Sequence, residues 1–213
     1  IAVEVYRNSD GSFLEAQDMF RLPGIFRSVS LISSPKVQVR DLFVLPDLDE
    51  NYRDGELKIS ADIRNLGDRV AKDFTIDYSL YANALYSDKN ERVEGVDVSV
   101  KVADVGVNQE QRAVASLKLK SPNKWSAERP YRYTLVAELK NGSGKVIETV
   151  SVHTGFRKVE IKDTAAEDDE FGLAGRYYYL NGRPIKMKGV NRHETHPRTG
   201  HVLTRKQMED EVM

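Results

Sequence analysis

The sequence contains no cysteine, and that one absence removes a disulfide scaffold, a thiolate metal site and a cysteine nucleophile. It leaves the compartment open: a cytoplasmic parent and a periplasmic or secreted one both accommodate a cysteine-free stretch. Charge of one sign is missing too. The 32 basic and 33 acidic residues leave a formal net charge of -1, so no global field argues for nucleic acid or an anionic membrane as partner. No apolar run approaches the roughly 20 residues of a spanning helix. There is no glycine-rich phosphate loop and no Gly-x-Ser-x-Gly elbow. What remains is a chain of 213 residues with 40% hydrophobic side chains, enough for one large domain or two small ones with buried cores.

Most of the chain has the grammar of strands. Leu57, Ile59, Ala61 and Ile63 alternate with polar residues, the period of a half-buried strand. The period recurs at Phe74/Ile76/Tyr78/Leu80, Val96/Val98/Val100/Val102, Ala113/Ala115/Leu117/Leu119 and Tyr131/Tyr133/Leu135/Ala137/Leu139. A further strand is expected over Ile147–Val152, after the turn Asn141-Gly142-Ser143-Gly144. About seven short strands and no helix between Val37 and His153 predict an antiparallel β-sandwich of immunoglobulin or fibronectin type. Trp125, the only tryptophan, is expected as a core anchor rather than a sugar-stacking platform.

The flanks read differently. Residues 1–32 hold one strand pattern at Ile1–Tyr6, the turn Asn8-Ser9-Asp10-Gly11-Ser12, and a second apolar stretch from Ile25 to Leu31. That is too little to close a core alone, so it is expected to be the end of a preceding domain. The chain opens inside a strand pattern without an initiator methionine and closes inside a helical one without a stop signal. The expectation is a section of a longer polypeptide, whose leader is then not open to inspection. Residues 163–170, rich in acids, read as a solvated loop. Tyr177–Leu180 and Ile185–Lys188 flank Asn181-Gly182, a hairpin signal, with Pro184 placed where an edge strand would spare it a ladder bond. Met187–Asn191 is expected as a strand end, followed by the polar loop Arg192–Gly200. Thr204 and Gln207 form a capping box opening a helix from which Met208 and Val212 would face inward. Strand, polar loop, helix is the order of the first unit of an α/β domain.

Three of the four histidines, His193, His196 and His201, fall within nine residues beside Arg192 and Glu194. The His-Glu-Thr-His spacing does not match the zinc helix His-Glu-x-x-His, and Pro197 and Gly200 make a loop of it. A structural loop and a catalytic or substrate-binding loop both fit; a position after a strand and before a helix is the active-site face of an α/β barrel. Asp10 is most simply a turn residue, and Asp18 is equally compatible with ligand binding and with the surface.

Gly189-Val190-Asn191-Arg192-His193-Glu194-x-His196-Pro197 resembles the start of the barrel in glycoside hydrolase family 2, β-galactosidase branch. Further matches fall in the family's order. They are Ser9-Asp10-Gly11-Ser12, Gln17-Asp18-Met19-Phe20-Arg21, Gly24-Ile25-Phe26-Arg27, Pro122-x-x-Trp125-Ser126-x-Glu128-x-Pro130, Gly155-Phe156-Arg157 and Asn181-Gly182-Arg183-Pro184. The departures are Phe20, where tryptophan is common, and the acidic insertion at 163–170. The resemblance implies the end of a jelly-roll sugar-binding domain (1–32), an immunoglobulin-like sandwich (33–157) and the opening of a (β/α)8 barrel (158–213). It implies a retaining hydrolase of terminal β-D-galactosyl bonds whose acid/base and nucleophile glutamates lie outside the chain. Asn90-Glu91 copies the acid/base dipeptide but falls in the sandwich, a coincidence. By the same resemblance His193 is a transition-state stabiliser. Asp18 contacts the sugar and a sodium ion, and Asp10 helps hold a magnesium ion. The implied partners are a galactoside substrate and the remainder of the same polypeptide, with a homo-oligomeric parent compatible. A sister enzyme acting on β-glucuronides or β-mannosides, and a non-catalytic adhesion or binding module, are the competing readings.

Overall fold

A computed structural model describes residues 1–15, 21–169 and 171–212. The chain divides into two compact units, Ser34–Lys186 and Ile1–Ser33 with Met187–Met213.

The first of these is built of strands. β1 (Val37–Leu48), β2 (Gly55–Asn65) and β6 (Glu110–Leu119) form one sheet in the order β1-β2-β6. β3 (Thr75–Asn83), β4 (Asn90–Arg92), β7 (Arg132–Lys140) and β8 (Val146–Thr154) form a second, ordered β4-β3-β7-β8, and β5 (Val98–Lys101) also pairs with β3. All pairings are antiparallel. The alternating residues of the sequence become the inner faces. Leu57, Ile59 and Ile63 of β2, Ile76, Tyr78 and Leu80 of β3, and Leu135 and Leu139 of β7 join one buried cluster. Each stands perpendicular to its sheet at period two, so one register shift would turn all of them to water. The β7–β8 turn forms as its composition requires: Gly144 takes φ 79°, and the Asn141 Oδ1 accepts from the Ser143 and Lys145 amides at 3.1 and 3.0 Å.

Two polar groups inside this unit are treated differently. The Asn65 side chain is fully buried. Its Nδ2 donates to the carbonyls of Arg69 (2.7 Å) and Val105 (3.0 Å), and its Oδ1 accepts from the Gly67 amide (2.8 Å). The Tyr78 hydroxyl is buried with no partner among the described residues, and burial pushes it up to about 12. On the outer face of β1-β2-β6, the Asp62 carboxylate accepts from Arg112 Nε (2.7 Å) and Nη2 (2.9 Å) and from Arg40 (3.1 Å). The Arg112 fork holds its carboxyl below the usual range, against the opposing effect of desolvation.

A small third sheet, ordered β11-β10-β9, follows: β9 (Val159–Thr164), β10 (Gly175–Leu180) and β11 (Arg183–Ile185). Asn181 (φ 51°) and Gly182 (φ 78°) occupy the left-handed pair that a two-residue hairpin needs. Pro184 sits on the edge strand. Asn181 also ties this hairpin to the sandwich: its Oδ1 accepts from the Lys158 amide (3.0 Å) and its Nδ2 donates to the Trp125 carbonyl (3.1 Å). Trp125 is half-buried and lies outside the buried core cluster. The Arg157 guanidinium stacks 4.5 Å from its ring centroid. Tryptophan therefore anchors a junction, and the core's large aromatics are Tyr78, Tyr133 and Phe156, the last two edge-to-face at 5.1 Å.

The second unit differs from expectation in three places. The patterns at Ile1–Tyr6 and Met187–Asn191 form no strand, since neither has a ladder partner among the described residues and an unpaired strand leaves its amides unsatisfied. The Asn8–Ser12 turn is the start of a single helical turn, α1 (Asp10–Leu14). The last helix, α2 (Arg205–Val212), opens on Thr204 as expected: the Gln207 amide donates to Thr204 Oγ1 (3.3 Å) and the Thr204 amide to Gln207 Oε1 (2.8 Å). Met208 is half-buried, whereas Val212 is exposed, so only one of the two expected contacts is made.

Candidate functional site

Within this second unit a cavity of about 920 Å³ lies between the 5–27 segment and the 192–201 loop. Its lining includes Asn8, Arg21, Phe26, Arg27, His193 and His201. The loop is shaped first by its own turn. His196 and Gly200 exchange both backbone hydrogen bonds (2.8 and 2.9 Å), and Gly200 takes φ 63° beside Leu22, where a Cβ would collide with that side chain. Thr199 Oγ1 and the Arg198 amide lie 3.2 and 3.3 Å from His196 Nδ1. His196 is thereby a turn-forming residue.

His193 is held from both sides. Its preceding residue, Arg192, is ion-paired to Glu211 of α2. Its following residue, Glu194, accepts from Arg27 at 3.0 Å. Arg27 extends its other nitrogen to the His201 carbonyl (2.9 Å), and its guanidinium lies 5.3 Å from the Phe26 ring centroid. Phe26 in turn packs on the His201 ring at 5.6 Å. Because Arg27 and Glu194 are both more than half exposed, the pair contributes positioning more than stability. Between these anchors the exposed His193 side chain lines the cavity and makes no hydrogen bond among the described residues.

Of the residues singled out from sequence, the structure thus places His193 in the cavity. Asp10 opens α1, is exposed, and is absent from the cavity lining among the described residues. Asp18 lies outside the described residues. No group of three or more histidine, aspartate or glutamate side chains gathers as a metal cage among the described residues. His201 stands out in the sequence only as a loop residue and Arg27 only within the Gly24-Ile25-Phe26-Arg27 motif; nothing in the spacing says that this motif would meet a loop more than 160 residues away.

Residues 37–157 match the family model for glycosyl hydrolases family 2, residues 1–35 that of its sugar-binding domain, and residues 172–213 that of its TIM barrel domain. The chain belongs to the glycosyl hydrolases of family 2. It is 42% identical to a β-galactosidase of Priestia megaterium over 215 residues, covering 100% of this chain and 19% of the relative. With a β-galactosidase of Pseudoalteromonas haloplanktis the identity is 38%, over 100% of this chain and 18% of the relative. The chain therefore spans about a fifth of the length of the curated relatives it matches. Among solved structures it resembles a β-glucuronidase of Parabacteroides merdae, with a TM-score of 0.69 and 22% identity over 92% of this chain and 22% of that one. At that identity the likeness is one of fold.

Proposed function

We propose that these residues are a middle section of a retaining β-galactosidase, hydrolysing terminal β-D-galactosyl bonds, with His193 as a transition-state stabiliser. The observation that carries the reading is the Arg192-His193-Glu194 loop, held by Glu211 and Arg27, whose His193 lines a cavity of about 920 Å³. An adhesion module has no need of such a loop. The galactoside in preference to a glucuronide is supported by the names of the curated relatives, which match along the whole chain at higher identity than the solved glucuronidases.

In retaining hydrolysis one carboxylic acid protonates the leaving oxygen while a carboxylate attacks the anomeric carbon, and water then releases the sugar. Both carboxylates are supplied from outside these residues in this proposal, so the 213-residue chain alone turns over no galactoside. The test is a chromogenic β-galactoside with a contaminant control, and turnover by the purified chain overturns that part. His193 does a different job. Charge builds at the ring as the oxocarbenium-like state forms, and a fixed imidazole bonded to a sugar hydroxyl binds that state better than the ground state. Arg27 and Glu194 act through the loop as positioning residues. Asp18 for the sugar and a sodium ion, and Asp10 for magnesium, belong to the same proposal. No catalytic step is assigned to either ion.

The decisive measurement is steady-state kinetics of His193→Ala in a full-length enzyme carrying these residues. kcat is expected to fall by about 10²–10³, the scale for one lost preorganised donor. KM should move much less. A kcat within threefold of the parent, with unchanged affinity for a transition-state-like lactone, makes His193 scaffolding. For Asp18→Ala the expected loss is in sodium-dependent galactoside kinetics, and kinetics unchanged across sodium concentrations remove that assignment.

A further inference from the structure

The sandwich unit has a cavity of its own, about 700 Å³, where the β3–β4 turn meets the start of β7 and the end of β8. Asn83, Tyr86, Asp88, Arg132 and His153 are among its lining residues. Register puts three of them on one outward surface. Tyr133 and Thr154 point into the core, so Arg132, Thr134 and His153 point away from it, and Asn83 is paired directly with Arg132.

A hydrogen-bond chain fixes what this surface offers. Thr134 Oγ1 donates to Asn83 Oδ1 at 3.1 Å. Having one hydrogen, it must then accept from His153 Nδ1, which lies 3.0 Å away. In a neutral His153 that makes Nδ1 the protonated nitrogen and leaves the Nε2 lone pair as an acceptor. Asn83 keeps its Nδ2 hydrogens as donors. Arg132 has no hydrogen bond or ion pair among the described residues and contributes further donors. Tyr86, 89% exposed, sits at φ 59°, a left-handed backbone that a bulky residue seldom adopts. Its ring is neither core nor strand packing.

Donors beside an acceptor, with an exposed aromatic face next to them, match adjacent hydroxyls and the C–H face of a pyranose. Each sugar hydroxyl both donates and accepts, so a surface of donors alone, as for phosphate, would lack the Nε2 partner. Asp88 and Arg132, the two charged residues of the lining, offset each other, so the cavity carries no net charge to select an ionised ligand. We propose that this cavity binds a neutral hexopyranosyl group, with Tyr86 stacking on the ring and Asn83, Arg132 and His153 reading two neighbouring hydroxyls. This inference does not rest on the β-galactosidase reading.

The test is an amide NMR titration of the 213-residue chain with methyl β-D-galactopyranoside. Expected are saturable shifts at residues 83–90, 131–132 and 153, with a Kd of about 1–10 mM, as fits one sugar in an open site. Tyr86→Ala and Arg132→Gln, both on the surface and checked for an unchanged remaining spectrum, should each weaken binding at least tenfold. Methyl β-D-glucuronide should bind no more tightly than the galactoside. The proposal is overturned by shifts that stay linear to about 50 mM, by saturable shifts that leave 83–90 untouched, by variants within twofold of the parent, or by tighter glucuronide binding.

Discussion

Among the described residues, the buried hydrophobic core runs from Leu48 to Phe156, wholly inside the sandwich unit. In the other unit Ile1, Val3, Leu14, Leu31 and Val190 remain exposed, although Ile1–Tyr6 alternates as cleanly as any strand of the sandwich. The two regions do not differ in pattern but in partners. A period-two stretch is a strand only when neighbours take up its amides and a second layer covers its apolar face. The sandwich carries both within its own residues. The flanks make instead the structures that need only local partners: a single helical turn, the His196–Gly200 turn and the Thr204-capped helix. The loop carrying His193 is held by side-chain contacts from Phe26, Arg27 and Glu211 and not by a core.

That contrast can be broken or sharpened by substitution. The largest loss is expected at Asn65→Ala, which removes the three hydrogen bonds that this buried side chain makes to the Arg69 and Val105 carbonyls and from the Gly67 amide. It should cost about 2–4 kcal/mol in urea unfolding followed by Trp125 fluorescence, three hydrogen bonds at about 1 kcal/mol each. A cost below about 0.5 kcal/mol would mean that water replaces the side chain.

Next comes alkaline pH. Burial pushes the Tyr78 hydroxyl up from its ordinary value of 10.0 to about 12 in the fold. Its raised value favours the fold fully below pH 10, and that contribution is lost as pH rises toward 12, by about 2–3 kcal/mol in all. Tyr78→Phe should remove that part of the alkaline loss, leaving the share of Tyr133, which burial also raises. At neutral pH it should be neutral or stabilising by about 1 kcal/mol, since it deletes an unpartnered buried hydroxyl. Thermal melts across pH 9–12 decide it.

On the acid side the sign reverses. The Arg112 fork holds Asp62 below its ordinary value of 3.8, so its contribution is present above that pH and lost as pH falls through the lowered value. Asp62→Asn should cost about 1–2 kcal/mol at pH 7 and make the pH 2–5 melting curve flatter than the parent's. The smallest effect is expected in the flanks. Phe13→Ser, at a 73% exposed site, should stay within about 0.5 kcal/mol of the parent. A larger loss would show that the flanking unit has packing of its own.

Much of the sandwich was legible because its inner faces obey one period and its turns carry the residues that their backbone angles demand, as at Asn141 and Asn181-Gly182. What escaped was set by distant contacts. Trp125 was expected in the core on size alone, yet a half-buried junction with Arg157 and Asn181 claims it. The strand expected at Met187–Asn191 needs ladder partners that a pattern does not supply. At the candidate site, His193 was legible through its motif and the Thr204 cap through its spacing. The Arg27–Glu194 pair and the Phe26–His201 contact join residues that only folding brings together.

The Asn181-Gly182 hairpin has a chemical as well as a geometric side. Asparagine followed by glycine is the dipeptide most open to spontaneous deamidation, because the unhindered glycine nitrogen can attack the side-chain carbonyl and expel ammonia. Here both ends of that amide are engaged, the oxygen by the Lys158 amide and the nitrogen by the Trp125 carbonyl. The fold therefore protects the bond, and the same bond becomes a clock that runs only while the hairpin is detached. Once converted to aspartate, position 181 has no nitrogen to give Trp125 and places a negative charge against its carbonyl. Each molecule that opens there for long enough would close less well the next time, so wear at this junction accumulates instead of healing.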